Sequence, residues 1–326
     1  MKASVRQSYC SADSIQLVDL PIPEPKPDEI RIRVMASTVN RTDLGVLTGK
    51  PYAMRLFAGF PKPRFAVTGT DFAGVVDKLG VGVQDFQIGD QVWGFWDHGQ
   101  GTHAEYACIP TKYPILPIPE GVGFAEIVAC GEAAHYAFNF LNKVNPSEGD
   151  HVLVNGGTGG IGSAAIQLLK ARGIHVTAVC HEAHVDLVKS LGPDRVIALE
   201  KEDFTKESIQ YDFVFDAVGK SRFKCCKSIL KPKGVYLSSE LGPNWENITL
   251  ALYTPILGGK KVVFPVPGPI RESMDTIQSL LLEGKFHPLI DEKQFRLDQM
   301  KEAFAYVASG KKVGNVILKV GDGTKQ

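Results

Sequence analysis

A chain of 326 residues is roughly two domain lengths at about 150 residues each, and its 44% hydrophobic and 22% charged content is that of a folded globular protein. Disordered, collagen-like and membrane-embedded classes are thereby excluded. Basic and acidic residues number 36 each, so no net field draws nucleic acid or an anionic membrane to the molecule, and only local patches stay open.

Residues 1–29 carry no long apolar run, and Pro and Gly then punctuate short apolar stretches at 30–37, 69–80, 90–96, 103–110 and 113–119, which predicts a mainly β segment to about residue 121. From residue 122 the rhythm changes. A helical pattern over 123–141 leads into alternating apolar strands and helices through 239, the signature of a doubly wound parallel sheet. Residues 260–266 add a strand, helical patterns follow over 271–286 and 298–310, and 313–320 form a last strand before a polar tail. The six cysteines, at 10, 108, 130, 180, 225 and 226, form neither a C-x-x-C pair nor a disulfide framework, which points to a reducing, cytoplasmic setting. Cys130, Cys225 and Cys226 read as small buried hydrophobes.

The most informative window is 151–180. A strand from His151 to Asn155 enters Gly157-Thr158-Gly159-Gly160-Ile161-Gly162, followed by a helix over Ser163 to Arg172 and a second strand from His175. In such a loop Gly157 permits the tight turn, Gly159 lets backbone N–H groups approach a pyrophosphate, and Gly162 lets the helix pack on the strand. The positive end of the helix dipole then faces the phosphates. The end of the second strand meets the adenosine ribose, where an acid favours a free 2′-hydroxyl and basic groups favour a 2′-phosphate. Glu182 argues for NAD, while His181 and His184 argue for NADP.

Taken together, the stretches GTDFAGVVDKLGVGV, IGDQVWGF, HAEY, GGTGGIG, VKSLGPDRVI, DFVFDAVG, LKPKGVYL and GKKVGNVILKV resemble the medium-chain dehydrogenase/reductase family, specifically its zinc-free quinone oxidoreductase (zeta-crystallin-like) branch. The resemblance implies an α/β chain in two domains. A GroES-like, mainly β catalytic domain takes residues 1–121 with a C-terminal return over 266–326, and a Rossmann dinucleotide-binding domain takes 122–265. It also implies hydride transfer from NADPH, with NADH as the other possibility, to a small quinone or α,β-unsaturated carbonyl. A homodimer through the Rossmann sheet edge would use Ile256 to Val263, with neither nucleic acid nor membrane as partner.

Zinc-dependent relatives place ligands where this chain has Asn40, Thr70-Asp71 and Glu132, and their structural four-cysteine lobe has no counterpart between Trp93 and Glu105. No metal site is therefore expected, and Asp43, Asp71, His98 and His103 read as hydrogen-bonded or solvated residues. Without a Lewis acid, an acceptor that is already electrophilic asks only for orientation, exclusion of water and a hydrogen-bond donor. Asn40, Tyr52 and Tyr136 are the candidates for that polar role, Tyr136 standing where relatives commonly carry a threonine. Asn40 also reads as a loop-organising residue, and Asp43 and Glu105 read as structural. Two other functions stay open: an alcohol or aldehyde dehydrogenase with atypical ligands, and a non-catalytic dinucleotide-binding protein.

Overall fold

A computed structural model describes residues 1–52, 54–96, 101–266 and 268–321. The chain forms two compact units, the first comprising residues 1–132, 270–275 and 290–326 and the second 133–269 and 276–289.

The first unit is built on a seven-stranded sheet. Its centre is the long strand Glu29–Val39, flanked by Val316–Lys319 and Asp71–Leu79, with Gln91–Phe95 and Ile115–Pro117 beyond the latter and Tyr106–Pro110 pairing with Glu29–Val39 as well. Alternation along these strands sends Ile30, Ile32, Val34, Phe72, Val76, Val92 and Ile109 into one core. A second core lies where Val39, Val316 and Leu318 meet Phe304 and Val307 of the helix Met300–Ala308. The segment is less purely β than its punctuation suggests, because helix Arg41–Thr48 follows the central strand. Its start was legible: Asn40 accepts from the backbone N–H of Asp43, Asp43 answers the N–H of Asn40, and Gly49 ends the helix at φ 61°.

The second unit is a six-stranded parallel sheet. The strands lie in the order Arg195–Ala198, His175–Cys180, His151–Asn155, Tyr211–Asp216, Leu230–Ser238 and Lys261–Val263. Numbered along the chain within this unit, that is 3-2-1-4-5-6, the Rossmann order, whose switch point falls between His151–Asn155 and Tyr211–Asp216. Leu153, Val179, Ile197, Val214, Tyr236 and Val262 fill a core on this sheet.

Three sequence expectations need correcting. The helical pattern over 123–141 is two helices, Phe124–Val128 and Glu132–Val144, and the first packs on the Glu29–Val39 and Asp71–Leu79 strands, so residues 122–132 belong with the first unit. Residues 276–289 join the second unit instead of the C-terminal return, since Gln167 bonds His287 in both directions: its amide N–H₂ donates to the carbonyl at 2.9 Å and its oxygen accepts from the N–H at 2.8 Å. Cys225 is exposed, whereas Cys130 and Cys226 are buried as expected.

Beneath the central strand, His103 is fully buried, with Nε2–H donating to the Thr38 carbonyl at 2.8 Å and Nδ1 accepting from the Thr68 hydroxyl at 2.8 Å. Burial holds its pKa down to about 4. The unfolded chain takes up this proton first, so stability falls as pH drops from about 6.5 towards 4, by about 3 kcal/mol once both forms are protonated. Denaturant titrations at about pH 7 and about pH 5 should show about 2 kcal/mol of this loss in the wild type and a smaller one in His103→Gln. Equal losses would assign the pH dependence to other groups.

Candidate active site: a dinucleotide loop and a polar floor without zinc chemistry

The loop between the first two strands of the parallel sheet is pinned from beneath, Gly156 and Gly157 both donating their N–H to the Val179 carbonyl at 3.0 and 2.9 Å. The left-handed turn falls at Gly156, φ 93°, and not at Gly157 as the motif suggested. At Gly157 a Cβ would stand 3.2 Å from the side-chain ends of both Ile166 and Val188, a tight contact to which those side chains would have to yield. Gly162 is needed for approach: its Cβ would lie 2.2 Å from the Gly156 carbonyl oxygen. Gly159 differs from all three. It has extended backbone, φ −74° and ψ 160°, and a Cβ would meet only the Gly156 oxygen, at an ordinary 3.5 Å. The fold therefore does not require glycine at 159.

Helix Gly160–Ala171 starts three residues earlier than its periodicity indicated, because the glycines themselves form its first turn. Gly159 supplies no side-chain cap and the first turn holds no acid, which leaves the N–H groups of Gly160, Ile161 and Gly162 without intrahelical acceptors. Thr158 and Ile161 complete the loop, and N–H groups presented so at a helix N-terminus suit an anion.

Across the switch point stands Asp216, fully buried at the end of its strand. One carboxylate oxygen accepts from Asn155 Nδ2 and Gly219 N, both at 3.0 Å, and the other from Ser221 N at 3.0 Å and the Tyr236 hydroxyl at 2.9 Å. Four donors make this carboxylate the tie between the ends of three adjacent strands. Sequence reasoning passed over it, although an acid closing the apolar run FVFD was the available signal.

At the end of the second strand the conflict between Glu182 and the histidines is relieved by two neighbours that the sequence did not suggest. His181 Nδ1 lies 2.9 Å from Glu200, whose pKa is lowered first by that bond, and the Glu182 carboxylate is ion-paired with Lys201, whose pKa is raised by the pairing. Glu182 thus carries its own counter-charge. His184 is half-buried ahead of helix Val185–Ser190.

In the first unit Asn40 is 9% exposed and its amide is committed. Oδ1 accepts from Asp43 N at 2.9 Å, and Nδ2 faces the hydroxyls of Thr38 at 3.2 Å and Thr70 at 3.5 Å. Asp71 accepts from Thr38 N (2.7 Å), the Thr38 hydroxyl (2.5 Å) and the Ser37 hydroxyl (3.0 Å), while burial pushes its pKa up to about 6. Asp43 is also pushed well up, by burial first and then by the charges of Glu132 and Asp71. The Thr42 hydroxyl donates to Glu132 at 2.6 Å. An amide and a hydroxyl at the two key positions do not make a zinc donor set, His103 has both ring nitrogens in use, and no group of three or more His, Cys, Asp or Glu among the described residues is arranged for a metal. His98 lies outside the described residues. Glu105 accepts from the N–H of Lys2 at 2.7 Å, a structural use.

The aromatic candidates are placed differently. Tyr52, in the first unit, is 70% exposed beneath the Arg55 guanidinium, 5.0 Å from the ring centroid. Tyr136, in the second unit, is half-buried on helix Glu132–Val144 with its ring 5.6 Å from that of His135.

Residues 26–120 match the alcohol dehydrogenase GroES-like domain and residues 191–318 the zinc-binding dehydrogenase family. A 2-methylene-furan-3-one reductase of Solanum lycopersicum is 31% identical over 98% of this chain and 79% of its own length. A chloroplastic NADPH-dependent alkenal/one oxidoreductase of Arabidopsis thaliana is 30% identical over the same shares. The chain belongs to the medium-chain dehydrogenase/reductase family, in its quinone oxidoreductase branch. Among solved structures, the quinone oxidoreductase from Coxiella burnetii superposes with a TM-score of 0.85 at 26% identity, covering 98% of this chain and 99% of that one. The family's zinc-binding designation and this chain's Asn40 and Thr70 therefore diverge, and the divergence lies in donor chemistry.

The glycines of the loop separate binding from folding. Gly159→Val is expected to abolish dinucleotide binding in a fluorescence titration while leaving the melting temperature nearly unchanged. Gly162→Ala should lower the melting temperature, because its Cβ meets backbone that cannot move aside. Unaltered affinity in Gly159→Val would remove the loop from the cofactor site.

Proposed function

We propose that the protein is an NADPH-dependent oxidoreductase that delivers hydride to the electron-poor carbon of a quinone or an α,β-unsaturated carbonyl. The observation that carries this reading is Gly159, free of any packing demand, at the N-terminus of a helix on the ligand edge of a Rossmann sheet. Reduced nicotinamide supplies the hydride when bound. The N–H groups of Gly160, Ile161 and Gly162 hold the diphosphate, Asp216 keeps the neighbouring strand ends in place, and His181 and His184 recognise the 2′-phosphate. Pairing of Glu182 with Lys201 supports NADPH, because it offsets the carboxylate's repulsion of a phosphate.

Relatives named as a furanone reductase and an alkenal/one oxidoreductase support the acceptor class. So does the polar floor of the first unit. Lacking zinc ligands, it has no Lewis acid to ionise a simple alcohol, whereas a conjugated carbonyl needs only a hydrogen bond to its developing enolate. Tyr52, with an exposed side chain in the first unit, or Tyr136 in the second is the donor we assign to that enolate, and Asn40 serves as the post that fixes Thr38, Thr70 and the start of helix Arg41–Thr48. On this reading the first unit, residues 1–132 with 270–275 and 290–326, acts as the catalytic domain, and the second, 133–269 with 276–289, as the cofactor domain. The cysteines, none disulfide-bonded, support a reducing cytoplasmic setting.

A homodimer is part of the proposal. Helix Glu246–Leu257 presents Leu252, Tyr253, Ile256 and Leu257, 65–83% exposed, beside the edge strand Lys261–Val263, which pairs on one side only. That is an unfinished sheet edge with an apolar flank. Ile256→Asp with Leu257→Asp should turn a dimer into a folded monomer by light scattering. A wild type that is already monomeric would remove the dimer.

The enzymatic test follows the absorbance of reduced nicotinamide with a soluble quinone, a short enone and, in reverse, simple alcohols. Turnover of the first two with NADPH favoured over NADH, unaffected by a zinc chelator, is expected. Alcohol oxidation that chelation abolishes and zinc restores would overturn the reading.

A further inference from the structure

Between residues 44 and 70 the chain holds Lys50, Arg55, Lys62 and Arg64 and no aspartate or glutamate, although the whole molecule is neutral. The same stretch exposes its largest apolar side chains: Leu56 and Phe60 are each 78% exposed, Tyr52 70% and Phe65 41%. None of the four cations is ion-paired with a carboxylate among the described residues, and Arg55 lies instead over the rings of Tyr9 and Tyr52, at 4.6 and 5.0 Å. Large apolar groups left in water beside unneutralised cations are costly to keep unless something covers them.

We propose that the surface made by Leu56, Phe60, Lys62, Arg64 and Phe65, beyond the catalytic candidate Tyr52, is a docking surface for an anionic lipid bilayer. Aromatic and leucine side chains rimmed by lysine and arginine match the boundary between acyl chains and acidic headgroups, where rings enter and cations stay at the phosphate level. Charge sign decides against a second copy of the chain as the occupant: a two-fold contact would set this patch against itself, cation against cation, with no acid in the segment to relieve it. No helix among the described residues is long and apolar enough to cross a membrane, so the association is peripheral and reversible. If the function proposed above holds, docking brings the reductase to lipid-dissolved quinones and enones, but the surface itself does not depend on that reading.

The test is flotation of the full chain with vesicles of phosphatidylcholine alone or mixed with phosphatidylglycerol. The wild type should float with the anionic vesicles at low salt and not with the neutral ones, and binding should fall at least about tenfold when salt is raised tenfold. Leu56→Ser with Phe60→Ser, and separately Lys62→Glu with Arg64→Glu, should each weaken flotation at least about tenfold. Circular dichroism and turnover of a water-soluble quinone should match the wild type. The proposal is overturned if the wild type floats with neither vesicle, or if the folded variants float as well as the wild type. It is equally overturned if the variants change the oligomeric state by light scattering with no effect on flotation. Loss of soluble turnover in the wild type would instead count against the enzymatic reading and leave the flotation result standing.

Discussion

The contact on which the second unit depends is the approach of helix Gly160–Ala171 to the strand that feeds it. Any side chain at residue 162 would bring its Cβ to 2.2 Å from the Gly156 carbonyl oxygen, so only glycine lets the helix seat there. Seated so, the helix directs the free N–H groups of its first turn into the space beside Gly159. Packing thus bears unequally on neighbouring glycines: Gly156 takes a positive φ, Gly162 permits the close approach, and Gly159 meets no such demand. The tie at Asp216 extends the same order across the switch point, where a displaced strand end would spoil the cradle from the other side.

The first unit is organised around Thr38. Its backbone N–H and hydroxyl donate to Asp71, its carbonyl accepts from His103 Nε2–H, and its hydroxyl faces the amide of Asn40. Burial raises the pKa of Asp71 and lowers that of His103, favouring the neutral form of each, and the network satisfies both without a metal. Asn40 is spent on this network: it caps helix Arg41–Thr48 and its amide faces the hydroxyls of Thr38 and Thr70.

Electrostatics act locally in a molecule whose total charge is zero. At the end of strand His175–Cys180, Glu200 and Lys201 reach His181 and Glu182 from the same end of the adjacent parallel strand, so each of these two residues carries an oppositely charged or hydrogen-bonding neighbour. In the first unit, residues 44–70 concentrate positive charge with no compensating acid. A global count hides both features because opposite charges elsewhere cancel them arithmetically, while screening confines their effect to about a Debye length.

The parallel sheet, the glycine loop and the family were determined by the sequence alone, since each rests on local chemistry: strand and helix periods, glycines at fixed spacing, and an asparagine and threonine where ligands would stand. The capping box of Asn40 and Asp43 was equally local, and the β-rich punctuation around it drew attention elsewhere. Only the tertiary structure decided which glycine makes the turn, because a positive φ depends on where the strand ends and the Val179 carbonyl waits. It also decided the pairing of Glu182 with Lys201, of His181 with Glu200, and of Asp216 with Asn155 and Tyr236, each across 19 residues or more, and the use of Asn40, whose amide is occupied by Thr38, Thr70 and Asp43. Spacing along a chain reports what one element can do, whereas hydrogen-bond partners and burial belong to the elements that the fold places beside it.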